Sequence, residues 1–151
     1  MTATGLTTGG ALAGRVLDAL AEATTDAPGI TRVAYGPGER FAHNLVCREA
    51  EKLGATTRVD AAGNLYLTLK GLKADRPAII IGSHLDSVPH GGNFDGAAGV
   101  VAGLAVIAEF VAQGTRPSRD LTLLATRAEE AVWFPLSYPG SQAALGLLEP
   151  Q

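Results

Sequence analysis

Pro77-Ala78-Ile79-Ile80-Ile81-Gly82-Ser83-His84-Leu85-Asp86 decides the fold, because it joins an unbroken apolar run to two residues that carry chemistry. An apolar run without polar alternation is the pattern of a strand buried on both faces of a largely parallel sheet, and this strand is expected to deliver His84 at its end. The glycine-framed loop Gly91-Gly92-Asn93-Phe94-Asp95-Gly96 follows. From about Gly96 to Gln113, Val100, Val101, Leu104, Ile107, Ala108 and Val111 form one broad apolar helix face, closed by Gly114. Leu121-Thr122-Leu123-Leu124-Ala125-Thr126 reads as the next apolar strand, with Glu129-Glu130 just beyond its end. Strand, helix, strand is a crossover unit, and sites in open α/β sheets lie where loops leave the strand ends.

Working outward, Ala11 to Ala23 sets Leu12, Val16, Leu17 and Leu20 at helical spacing, an amphipathic helix expected to pack on the sheet. Thr25 to Gly38 holds two prolines and three glycines and reads as loop, with Ile30 and Val33 expected to turn inward. A second helix, Glu39 to Leu53, carries Phe41, Leu45, Val46, Ala50 and Leu53 on one side and stops at Gly54. Thr56 to Asp60 and Asn64 to Leu69 read as strands of a β-hairpin turned by Ala61-Ala62-Gly63. Past Pro135, Pro139 and Gly140, Ser141 to Leu148 is expected to form a short helix.

A chain of 151 residues suffices for one domain with a real core and is too short for two of ordinary size. With 46% hydrophobic and 18% charged residues, the composition is that of a folded globular protein and excludes disorder. The net charge is -3 and the Lys and Arg residues are scattered singly, so no basic stripe exists for a nucleic acid. Met1 to Leu6 has no basic leader region, and no apolar run approaches membrane-spanning length, so no membrane partner and a cytoplasmic location are expected. The single cysteine, Cys47, excludes an internal disulfide. It falls one helical turn after His43, but no oxyanion or orienting group accompanies a thiol–imidazole pair, and a small buried cysteine is the expectation.

The chemistry-bearing residues gather at strand ends. Asp86, two residues after His84, is placed to accept the second ring N–H, which fixes the tautomer and strengthens the imidazole as a metal ligand. Asp95 opens a helix, where the dipole favours an anion, and its two oxygens suit it to bridge two cations. Of the adjacent Glu129 and Glu130, one can bind metal while the other acts as base to a water and then donates to a leaving nitrogen. Four carboxylates crowded together raise one another's pKa values, and divalent cations would neutralise them. Taken singly, any of these acids is most often a solvated group or a helix cap; their common placement at strand ends and a helix start argues for a site. His90, beside Gly91-Gly92, reads as an exposed loop residue. A phosphate cradle is excluded, because the glycines follow no nucleotide-binding pattern and Asp95 would repel the ligand. No serine sits in a nucleophile elbow.

Gly82-Ser83-His84-Leu85-Asp86-Ser87-Val88-Pro89, Gly91-Gly92-Asn93-Phe94-Asp95-Gly96, Glu129-Glu130, Gly140-Ser141, Asp60-Ala61-Ala62-Gly63-Asn64-Leu65 and Thr31-Arg32-Val33-Ala34-Tyr35 together resemble the hydantoinase/carbamoylase group of M20 metallopeptidase-like amidohydrolases. The resemblance implies an α/β M20-like catalytic domain, a mostly parallel mixed sheet flanked by helices, of which residues 1–151 form the N-terminal part without lid domain or C-terminal part. It implies a metal-dependent amidohydrolase cleaving the C–N bond of N-carbamoyl amino acids or related ureido compounds, with two divalent ions (Zn, Mn or Co). His84 would bind the first metal, Asp95 bridge, Glu130 bind the second, Asp86 orient His84 and Glu129 activate the water. After the acidic pair the group has Gly-x-Arg-Phe, whereas this chain has Ala131-Val132-Trp133-Phe134, which bears on local packing or substrate preference. Two further histidine ligands of the group lie beyond the point where this sequence stops, so a homo-oligomer or a complementing chain is an expected partner. The alternatives are an M20 deacylase or dipeptidase, and a truncated non-catalytic fragment that needs a partner chain.

Overall fold

A computed structural model describes residues 7–73 and 75–148; Met1 to Leu6, read above for a leader, and residues 149–151 lie outside the described residues. The elements run α1 (Thr8–Thr24), β1 (Thr25–Asp26), β2 (Gly29–Ile30), α2 (Pro37–Lys52), β3 (Thr56–Val59), β4 (Leu65–Leu69), β5 (Ile79–His84), α3 (Ala97–Ala112), β6 (Leu121–Thr126) and α4 (Pro139–Ala144). The main sheet has the order β3-β4-β6-β5. β3 to β4 and β4 to β6 pair antiparallel, and β5 to β6 pair parallel. This is the expected mixed α/β layer flanked by helices, but the sheet is not mostly parallel: among the described residues parallel pairing is confined to the β5-α3-β6 crossover, because β4 returns from β3 by a tight hairpin and pairs antiparallel with β6 as well.

α3 is apolar nearly all round, as suits a helix buried on two sides. Val100, Val101, Leu104, Ile107 and Ala108 are buried as expected, while Val111 is exposed. Gly103 brings the helix against Leu123 and Ile81 of the sheet. α1 lays Leu12, Val16 and Leu20 chiefly on α3 and not on the sheet, because α3 already occupies that face. From below, β4 and β6 turn Leu65, Leu67, Leu121, Leu123 and Ala125 into the same core.

The expectation of a strand buried on both faces fails at β5. It is an edge strand with Ile79 exposed and Ile80 59% exposed, and among the described residues nothing pairs with its outer edge. An unbroken apolar run reports burial on both faces only where something covers both. Here the second face carries Tyr66, Ile80, Gly82, Leu124 and Thr126 along a cleft of about 450 Å³, bounded by Ala144 and Leu145. α4 is shorter than the expected Ser141 to Leu148 helix, starting at Pro139 and followed by Gly146 at φ 69°. The β3–β4 hairpin forms as read, with Gly63 at φ 83° in the turn.

The segment read as loop between α1 and α2 contains the hairpin β1–β2. Ile30 is buried, but Val33 is 39% exposed and does not turn inward. Ile30 and Gly91 exchange both backbone hydrogen bonds, at 3.0 and 2.9 Å, which ties this hairpin to the loop after β5. On α2, the Cys47 thiol donates to Glu51 and His43 is buried beside Glu39, so no thiol–imidazole pair forms. Among the described residues no helix is long and apolar enough to cross a membrane.

The two faces make a testable contrast. Leu123→Ala should cost about 2–5 kcal/mol in denaturant unfolding, as for a fully buried leucine, whereas Ile80→Ala should stay within about 0.5 kcal/mol, as at an open surface. A comparable loss at both positions would contradict the open second face.

Candidate metal centre

Parallel pairing sets His84 opposite Thr126, so β5 and β6 release their chains at the same end of the sheet. Two loops start there: Leu85 to Asp95, leading into α3, and Arg127 to Glu130. Asp86, fully buried, joins them. Its Oδ1 accepts the Glu129 N–H at 3.2 Å and its Oδ2 accepts the Glu130 N–H at 3.0 Å. Ala128 at φ 53° is the bend that aims both amides at this carboxylate. On its other side, His84 Nδ1 stands 3.3 Å from Asp86 Oδ1 and 3.2 Å from the Asp86 carbonyl oxygen.

With Nδ1 facing two acceptors, Nε2 is left to face outward, 3.5 Å from Glu129 Oε2 and 3.8 Å from Asp95 Oδ1. One donor atom each from His84, Asp95 and Glu130 lie within 4.8 Å of one another. Ligands bonded at about 2.0–2.2 Å to one cation stand at most about 4.4 Å apart, so small rotations of the exposed Asp95 and half-buried Glu130 close the set. One imidazole and two carboxylates form a donor set suited to a divalent metal ion. All five residues singled out in the sequence are therefore brought together. His90 is not among them: its side chain is exposed and bonds the Asp26 carbonyl.

The electrostatics are less uniform than four crowded acids suggest. Burial pushes the Glu130 carboxyl up and the charge of Asp95 adds to this. Asp86 moves the other way, because the bonds from His84 and from the Glu130 and Glu129 amides outweigh its burial. Burial works against protonated His84, yet Asp86 and Glu129 outweigh it and raise the imidazole above its ordinary value.

Several residues that frame the site carried no role in the sequence. Gly96, at φ 63°, packs on the His84 ring so closely that a Cβ would lie 2.4 Å from its Cε1. Buried Asn64 donates to Asp60 and to the Gly140 carbonyl, both at 2.8 Å, and accepts the Arg127 N–H at 2.9 Å. At Gly140 a Cβ would fall 2.1 Å from the Arg127 carbonyl oxygen. Arg127 in turn donates to buried Glu39 at 2.6 Å. Trp133, where the carbamoylase pattern has arginine, donates its indole N–H to the Ser87 carbonyl at 3.0 Å and so bonds the ligand loop. The Asp60-to-Leu65 turn and Gly140 thus meet at one hub, through Asn64.

Residues 64–149, more than half of the chain, match the model of Peptidase family M28. The chain belongs to this family. The M20 name rests on the resemblance alone. Among relatives of this M28 member, N-carbamoyl-L-amino acid amidohydrolase of Geobacillus stearothermophilus is 37% identical over 82% of the chain and 30% of that protein. Allantoate amidohydrolase of Escherichia coli is 34% identical over 82% of the chain and 30% of that protein. A solved hydantoinase/carbamoylase family amidase from Burkholderia ambifaria superposes with a TM-score of 0.86 at 34% identity, covering 91% of this chain and 34% of that one. The chain spans under a third of the length of these two curated relatives.

Because the Gly96 Cα–H edge leaves no room beside the His84 ring, Gly96→Ala should displace the imidazole and weaken zinc binding about 10-fold or more in a competition titration. Unchanged affinity would show that the ring is not held there.

Proposed function

We propose that residues 1–151 form the N-terminal part of a zinc-peptidase-like, M20-like catalytic domain in a metal-dependent amidohydrolase acting on N-carbamoyl amino acids or related ureido compounds. The carrying observation is the convergence of His84, Asp95 and Glu130 donor atoms within 4.8 Å, with Glu129 Oε2 3.5 Å from the same imidazole nitrogen. His84 and Glu130 would each hold one of two divalent ions, zinc, manganese or cobalt, with Asp95 shared between them and Asp86 orienting His84. A bound cation lowers the pKa of neighbouring water to near 7 and polarises a carbonyl oxygen.

The rest falls to the chain's own side chains. Glu129, more than a third exposed at the mouth of the site, takes a proton from the attacking water and returns it to the leaving nitrogen. Water adds to the ureido carbonyl carbon, the C–N bond breaks, and the amino acid departs while the carbamic acid falls to ammonia and carbon dioxide. The names of the curated relatives, all C–N hydrolases of ureido compounds in the two cases given, support this substrate class. A cytoplasmic location goes with it.

A second reading is favoured by the outer edge of β5, which nothing pairs among the described residues, and by the open cleft on the sheet face beside the site. Three protein ligands are the usual complement of a single catalytic zinc, so two ions sharing three residues call for more. A partner chain or second copy that pairs with β5 and covers Ile80 would be placed to add them.

The test is metal content of the purified chain together with N-carbamoyl amino acid hydrolysis, with Glu129→Gln beside it. Retained metal with kcat reduced about 10²–10⁴-fold is the expected result for loss of a general base. Equal turnover in Glu129→Gln would contradict the role of Glu129, and stoichiometric metal without turnover in the wild type would favour the partner-chain reading.

A further inference from the structure

Arg32 is fully buried, yet among the described residues its guanidinium forms no ion pair with a carboxylate. Its donors go to the ligand loop. Nε donates to the Leu85 carbonyl at 2.6 Å, Nη1 to Asn93 Oδ1 at 3.0 Å and Nη2 to the Asn93 carbonyl at 3.3 Å. The backbone continues the contact: the Arg32 N–H donates to Ser87 Oγ at 2.9 Å, and the Arg32 carbonyl accepts the Ser87 N–H at 3.0 Å. Leu85 stands between His84 and Asp86, and Asn93 stands two residues before Asp95. A single planar cation therefore holds both limbs of the loop that separates the first two proposed ligands.

We propose that Arg32 is a positioning residue of the metal centre, setting the separation of His84 and Asp95 by bridging the two limbs of their loop. The inference rests on the metal-centre reading above and assigns a role to a residue that touches neither metal nor substrate. Geometry explains why arginine is needed. Leu85 and Asn93 offer three acceptor atoms in different directions, which the rigid fork of a guanidinium meets at once and the point charge of lysine does not. Charge explains why a buried cation is tolerated. An uncompensated guanidinium is costly to bury; burial moves the Arg32 pKa down, and the Asp86 and Asp95 charges offset part of that cost. The same charge offsets the repulsion among the acids of the centre before any ion arrives. Asn93 completes the brace by donating Nδ2 to the Leu17 carbonyl at 2.9 Å, so the loop is referred to α1 as well as to Arg32.

The experiment titrates cobalt(II) into the 151-residue chain as wild type, Arg32→Lys, Arg32→Met and Asn93→Ala, reading the dissociation constant, the d–d spectrum and the thermal midpoint without metal. Loss of a residue that orients ligands is expected to weaken cobalt binding about 10–100-fold in Arg32→Met and less in Arg32→Lys, with altered band positions. Asn93→Ala, which leaves the buried cation in place and removes one of its acceptors, should weaken binding as well and keeps the test open if Arg32→Met does not fold. A brace for the fold alone would lower the thermal midpoint while leaving the cobalt affinity and spectrum of the folded variants at wild-type values; that result overturns the proposal. Wild-type protein that takes up no cobalt overturns the metal-centre reading itself, and the two failures are thereby told apart.

Discussion

One buried carboxylate holds the two working loops to each other. Asp86 leaves β5, and its oxygens take the amides of Glu129 and Glu130, which leave β6. A buried carboxylate is tolerated only when its lone pairs are met, and here two N–H groups and an imidazole meet them. The same bonds that satisfy Asp86 turn His84 Nε2 outward and set both glutamates at the mouth of the site. This arrangement keeps Ala128 in the left-handed region, at about 1–2 kcal/mol for a residue with a Cβ. Bonds to a charged acceptor, at roughly 1.5–3 kcal/mol each, outweigh that strain.

Around this carboxylate the fold supplies walls rather than ligands. Parallel register brings the ends of β5 and β6 level, α3 starts where Gly96 seats the His84 ring, and the β1–β2 hairpin and Arg32 grip the ligand loop from the side. Asn64 and Gly140 do the same for the loop of Glu129 and Glu130, through Arg127. α1, α2 and α3 pack on one side of the sheet. The cleft opens on the other side, where Ile80 and Leu124 are uncovered or half-covered.

The four strands of the main sheet, the three longer helices and the gathering of His84, Asp86, Asp95, Glu129 and Glu130 at strand ends are legible in the sequence, because each depends on a local signal, whereas the β1–β2 hairpin lies in a segment that reads as loop. Apolar periodicity marks the elements, and a histidine or acid at a strand end marks the site. What was not legible depends on partners far along the chain. Ile79-Ile80-Ile81 has the same apolar pattern whether the sheet is covered on one face or two, so β5 was read as buried when it is an exposed edge. α1 shows an apolar stripe, but nothing in the stripe names α3 as its partner. Asp86 was read as the orienting group for His84, while its bonds to the acidic doublet arise from backbone amides that have no sequence signature. Arg32 looked like one residue of a loop, since the loop it bridges begins more than fifty positions away.

The central claim is that Asp86 fixes His84 with its proton on Nδ1 and leaves Nε2 free toward Asp95 and Glu129. The ¹⁵N chemical shifts of the His84 imidazole, recorded in metal-free protein at a pH above its raised pKa, report the tautomer directly. A protonated-type shift at Nδ1 and a bare-nitrogen shift at Nε2 are predicted, and the reverse pattern would contradict the account.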